Sequence, residues 1–148
     1  MIRLVNAQYL PEENGDSVAI ISTELGLFHG IAKIHEDDRD VESEFIGCHV
    51  AESKAYIKYI KEKIKILTHQ IKALENYENL IKNLKEYQPH SRENRKLRRM
   101  IFELKQERVN WRKSIETLNK TNNEICEEKR RMLKRINDKK KGDSNQWL

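Results

Sequence analysis

Two cysteines, one mid-chain proline and no apolar run longer than a few residues mark this 148-residue chain, and each scarcity excludes something. Cys48 and Cys126 are too few for a disulfide framework, so free thiols are expected. The longest apolar run, Val18 to Ile21, is far too short to span a bilayer. Met1 to Leu10 lacks the basic-then-apolar pattern of a secretory leader, which points to a cytoplasmic protein with no membrane partner. No glycine-rich phosphate loop and no nucleophile elbow is present, and His29, His35, His49, His69 and His90 are scattered. An enzyme is therefore not expected, nor is a cofactor. With 36% charged and 37% hydrophobic residues the chain has little material for a thick core, and an elongated fold follows.

What is present is one spacing repeated with few errors. Leu97, Ile101, Leu104, Arg108, Trp111, Ile115, Leu118, Asn122, Ile125, Lys129, Met132 and Ile136 follow one another in alternating steps of four and three. That is the mark of a helix burying a narrow apolar seam against another helix. Ile57, Ile60, Ile64, Leu67, Ile71 and Leu74, continuing to Ile81, form the matching run. Pro89 stops the first helix and Ser91 caps the second, so the two runs predict an antiparallel coiled-coil hairpin with helices over about 44–87 and 92–139 and a flexible tail over 140–148.

A single alignment of the two runs satisfies seven layers. It sets Ile46 against Ile136, Val50 against Met132, Ile57 against Ile125, Ile64 against Leu118, Leu67 against Ile115, Ile71 against Trp111 and Ile81 against Ile101. In this register Asn122 faces Ile60, and Arg108 faces Leu74 within reach of Glu78, a pair that would fix the alignment.

The first 40 residues read as an acidic head made of a three-stranded antiparallel meander, which makes the fold class α+β. Ile2 to Gln8 is the first strand, Pro11 to Gly15 supplies turn chemistry, and Asp16 to Ser22 is the second strand. Gly26 marks a turn before Leu27 to Ile34, in which Phe28, Gly30, Ala32 and Ile34 share one face. So small a sheet must pack its apolar face on the helices or on another subunit. The acidic run Glu36, Asp37, Asp38, Asp40, Glu42 and Glu44 then favours the positive end of the first helix.

Gly30-Ile31-Ala32, then Asp38, then Gly47 followed by Ala51-Glu52 and Ala55, resembles a pattern in small accessory proteins of phages and prophages of Gram-positive bacteria. The pattern covers residues 28–57. Physically, Gly30 and Ala32 would let the strand approach the helix closely, where Gly47, Ala51 and Ala55 offer small residues on one face. The resemblance implies an accessory protein devoted to host takeover or to blocking host defence, working in the host cell cytoplasm. It carries over no catalytic residue.

Charge is divided unevenly. Residues 1–50 hold three basic residues against ten acidic ones, whereas residues 51–148 hold 26 against 14. Around the hairpin turn Arg92, Arg95, Lys96, Arg98 and Arg99 are dense enough to meet phosphates or an acidic protein. Beside the seam of the first helix, Ala73, Tyr77, Leu80, Leu84 and Tyr87 form a second apolar stripe, extended weakly by Tyr59 and Ile66. A two-helix hairpin buries only one seam, so this stripe predicts contact with a second copy or with a protein partner, unless Met100 and Phe102 broaden the internal face to cover it.

Metal chemistry has weak footing. Asp38, Asp40, Glu42 and Glu44 alternate like a calcium loop, but Ser43 and His49 stand where glycine and glutamate are needed. His35, Cys48 and His49 lack zinc-site spacing.

The reading that results is a non-enzymatic, homo-oligomeric accessory protein that binds a host protein and inhibits or redirects it. Tyr77, Leu80, Leu84 and Tyr87 would make the contact, with Arg92, Arg95, Arg98 and Arg99 as its electrostatic rim. The alternative is a nucleic-acid-binding protein using the same basic turn. A third has His35, Asp38 and His49 hold a small ligand or metal.

Overall fold

A computed structural model describes residues 2–10, 16–33 and 44–146. Three strands, β1 (Arg3–Leu10), β2 (Asp16–Thr23) and β3 (Gly26–Ala32), are followed by two long helices, α1 (Glu44–Lys82) and α2 (Arg92–Gln146). The fold is α+β with a helical hairpin, as the periodicities require. The Pro11–Gly15 turn, the acidic run between His35 and Ser43, and the Trp147-Leu148 end lie outside the described residues. The chain divides into two compact units, one of residues 1–59 with 117–148 and the other of residues 60–116.

In the first unit the strands form one antiparallel sheet in the order β1-β2-β3. Alternation along β2 decides its two faces: Ser17, Ala19 and Ile21 are fully buried, and their neighbours are only partly so. Across β3 they pair with Ala32, Gly30 and Phe28, so these six residues make the inner face. Edge strand β1 is exposed from Arg3 to Gln8 and carries a bulge between Leu4 and Asn6. The β2–β3 turn is closed by Thr23, whose hydroxyl donates to the Gly26 carbonyl at 2.9 Å and accepts from the Leu25 amide at 3.1 Å. Gly26 holds φ at +109°, a conformation for which glycine is suited.

Gly30 carries the contact between sheet and helix. A Cβ there would run into the Ala51 carbonyl oxygen and lie 2.6 Å from the Ala55 amide nitrogen, both backbone atoms of α1. Ala51 and Ala55 are wholly buried and Gly47 is buried beside them, so the small-residue face expected of the first helix does receive the strand. One turn further, Tyr59 packs edge-on against Phe28 with ring centroids 5.7 Å apart. Its hydroxyl donates to the Glu24 carboxylate at 2.5 Å. Burial, and secondly this bond, push its hydroxyl pKa up to about 12. Tyr59 therefore belongs to the core of this unit and does not extend the second stripe.

In the second unit Ile71, Leu97 and Ile101 are the buried centre, with Leu74, Ile81 and Leu104 partly buried around them. The seam residues do what their spacing demands, but in a different register. Lys63 lies over the Trp111 ring at 6.0 Å, Arg108 donates to the Thr68 hydroxyl at 3.3 Å, and Lys105 pairs with Glu75 at 2.9 Å. Trp111 thus sits beside Lys63 and not Ile71. Arg108 reaches Thr68, ten residues along α1 from the Glu78 expected to bind it, and Glu78 instead pairs with Lys82 at 3.3 Å. In the first unit, likewise, Ile46 shares a cavity wall with Ile125 and Met132.

The turn explains the shift. α1 ends at Lys82, five residues before Tyr87, and its last carbonyls turn inward: Asn83 donates to Leu80 at 3.3 Å and Leu84 to Ile81 at 3.0 Å. These i to i+3 bonds tighten the helix end. With α2 still starting at Arg92, the earlier stop shifts the pairing of α1 with α2, and Arg108 meets Thr68, six residues before the Leu74 expected to face it. At the other end α2 runs seven residues past Lys139, so residues 140–146, expected as tail, are helical.

Candidate interaction surface

The turn that closes the second unit is built by polar groups at the start of α2. Ser91 caps the helix, its side-chain oxygen accepting from the Asn94 amide at 3.2 Å and its carbonyl accepting from the Arg95 amide at 3.0 Å. Asn94 Nδ2 donates to the Gln88 carbonyl at 2.6 Å, and Arg98 Nη2 to the Pro89 carbonyl at 2.7 Å. Arg98 is thereby taken up in fixing the turn, which separates it from the other basic residues. Arg92, Arg95, Lys96 and Arg99 fall on one face of α2 around a shallow hollow of about 670 Å³ shared with Met100 and Glu103.

The second stripe is real but shorter than its spacing suggested. Tyr77, Leu80 and Leu84 are 56%, 69% and 62% exposed, values that rule out a broadened internal face. Met100 and Phe102, the residues that might have covered them, are themselves exposed, Phe102 at 66%. Helical phase gives the reason. At about 100° per residue, Leu80 lies about 150° from the middle of the seam marked by Ile71 and Leu74, and Tyr77 about 90° from it. Tyr87 departs from the set: it follows the helix end, is half-buried, and donates its amide to Leu84 at 3.2 Å. The spacing argument placed it on the stripe only by assuming helix to residue 87.

Phe102 was not among the expected contact residues. On α2 it projects to the opposite flank from Met100, where it lines a groove of about 530 Å³ with Arg98, Lys105, Glu75 and Glu78. Its isolation from the repeat of four and three was the available signal.

In the first unit Ile46, His49, Ile125, Lys129 and Met132 wall an apolar cavity of about 320 Å³. His49 is exposed, and of the residues expected to bind a ligand with it, His35 and Asp38 lie outside the described residues. Among the described residues no three His, Cys, Asp or Glu side chains converge as metal ligands. Cys48 and Cys126 are free, and no described helix is long and apolar enough to cross a membrane.

Comparison with protein families, curated proteins and solved structures finds no match.

Proposed function

We propose that this chain is a non-enzymatic accessory protein of phage or prophage type that binds a host protein through its helical hairpin and inhibits or redirects it. The observation that carries the reading is the large apolar side chains left exposed on both helices near the turn: Tyr77, Leu80 and Leu84 on α1, Met100 and Phe102 on α2. The seam between the helices is already closed by Ile71, Leu97 and Ile101, so internal packing does not account for them. Exposed aromatic and aliphatic anchors rimmed by arginine are the composition of protein-binding surfaces. The phage assignment is supported by the residue 28–57 pattern, and it places the partner in the host cytoplasm.

The test is recovery of a partner from cells expressing the tagged full-length chain, compared with chains carrying Leu80→Glu or Phe102→Glu. A specific protein recovered with the parent chain and lost from at least one variant supports the reading. Recovery of nothing with the parent chain overturns it.

A second reading is favoured by Arg92, Arg95, Lys96 and Arg99 sharing one face of α2. Such a face can follow a phosphate backbone without reading sequence. Duplex binding that falls steeply between low and moderate salt, and is lost on converting Arg95 and Arg99 to Gln, would establish it.

A further inference from the structure

The first unit holds a second hollow, on the flank of α1 away from His49. Residues 32–33 at the end of β3, residues 46–57 of α1 and residues 119–133 of α2 close around about 570 Å³. That is room for a small organic molecule.

The charge of the hollow has one sign. Lys33, Lys54, Lys129 and Arg130 stand around it, and no aspartate or glutamate among the described residues lines it. Lys33, Lys54 and Arg130 make no ion pair among the described residues, whereas Lys82, Lys105 and Arg131 elsewhere in the chain each hold a carboxylate. All three are exposed and so form a rim, while Ile57 is buried and Val50 and Leu133 are half-buried, which gives the hollow an apolar floor. Cations gathered without a counter-charge repel one another, and an anion seated among them removes that repulsion.

Asn122 supplies the second, independent sign. It occupies a seam position and lines the hollow, yet its Oδ1 is shut off from solvent and accepts no hydrogen bond among the described residues. A buried acceptor without a donor is costly, and a leucine at this seam position would avoid the cost. The terminal torsion of an asparagine is soft, so a small rotation of the amide meets a donor brought into the hollow. We infer that the hollow between β3, α1 and α2 binds a small organic anion, with its apolar body on Val50, Ile57 and Leu133, its phosphate or carboxylate on the rim of Lys33, Lys54 and Arg130, and a hydrogen bond donated to Asn122. This site belongs to the first unit alone and does not depend on capture of a protein by the hairpin.

The test is fluorescence titration of the full-length chain with two dyes that share one apolar body. Anilinonaphthalene sulfonate carries an anionic group and an N–H donor, and phenylnaphthylamine lacks the anionic group. The sulfonate dye should bind saturably and about tenfold or more tighter than the neutral one. Lys54→Glu combined with Arg130→Glu should remove that preference with helical circular dichroism unchanged, and Leu80→Glu, in the second unit, should preserve it. Asn122→Leu should weaken binding while raising the thermal midpoint, a pairing that damage to the fold does not produce. Competition with naphthyl phosphate and naphthoate assigns the head group to whichever displaces the dye more strongly. The inference is overturned by equal binding of the two dyes, by no saturable binding, by displacement with neither competitor, by a preference that survives the double variant or is lost with Leu80→Glu, or by binding that Asn122→Leu leaves unchanged.

Discussion

The two compact units solve burial with opposite materials. In the first, the closest contacts are made by what is missing from side chains: Gly30 meets the backbone at Ala51 and Ala55, and Ala19, Ala51 and Ala55 are wholly buried. In the second, branched aliphatics do the work, and Ile71, Leu97 and Ile101 keep 3%, 7% and 7% exposure. A backbone-to-backbone contact has no slack, because nothing in it can change rotamer. A seam of leucine and isoleucine can slide by a turn and still bury its residues, which is why it leaves register to be decided elsewhere.

The sharpest way to break this contrast is Gly30→Val. The new side chain would overlap backbone atoms of α1, and a loss of about 3 kcal/mol or more is expected by urea unfolding. A loss below 1 kcal/mol would show that the strand is not held against the helix as described. In the second unit Ile101→Ala should cost about 2–4 kcal/mol, the transfer and cavity cost of a buried isoleucine.

A smaller effect of opposite sign is expected at Ser17. It is fully buried, and its hydroxyl has no hydrogen-bond partner among the described residues. Removing an unsatisfied buried hydroxyl relieves its desolvation, so Ser17→Ala should stabilise the chain by about 0.5–1 kcal/mol. A destabilised variant would reveal a partner for that hydroxyl.

The Tyr59 to Glu24 bond gives the first unit a pH signature. With the Tyr59 hydroxyl pKa raised in the folded state to about 12, the unfolded chain releases this proton first as pH rises. The stabilisation is complete below pH 10, the ordinary tyrosine value, and is lost between there and about 12. Tyr59→Phe should abolish this component of the alkaline loss, measured as the difference in thermal midpoint between pH 9 and pH 11. Smallest of all, Lys105→Gln removes an exposed ion pair with Glu75 and should change stability by less than about 1 kcal/mol.

How far the sequence spoke depended on whether local chemistry or chain geometry decided the matter. The seam was legible because burial on one side of a helix forces a repeat of four and three, and Leu97 and Ile101 sit in it as expected. Ser91 was legible because a helix start needs a side-chain acceptor. The approach of Gly30 to Ala51 and Ala55 was legible because small residues on two facing elements have few other uses. The register was not, because seven apolar layers fit one alignment well while the tightened bonds after Leu80 and Ile81 selected another. Tyr87 and Tyr59 were misplaced for a related reason: both fall on the stripe by counting, yet one lies past the helix end and the other is claimed by Phe28 and Glu24. Of the proposed contact residues, the exposure of Tyr77, Leu80 and Leu84 could be read from phase, whereas the turning of Arg98 onto Pro89 could not.

The pairing of α1 with α2 is the point at which the spacing and the turn disagree, so crosslinking across the hairpin is the most direct measurement. In a chain with Cys48 and Cys126 replaced by serine, cysteines at Thr68 and Arg108 should be joined by a short bismaleimide within one molecule. Cysteines at Glu78 and Arg108, displaced from that pairing by about 15 Å along the helix, should not be joined. Efficient joining of the second pair and none of the first would contradict the register and restore the alignment expected from the apolar layers.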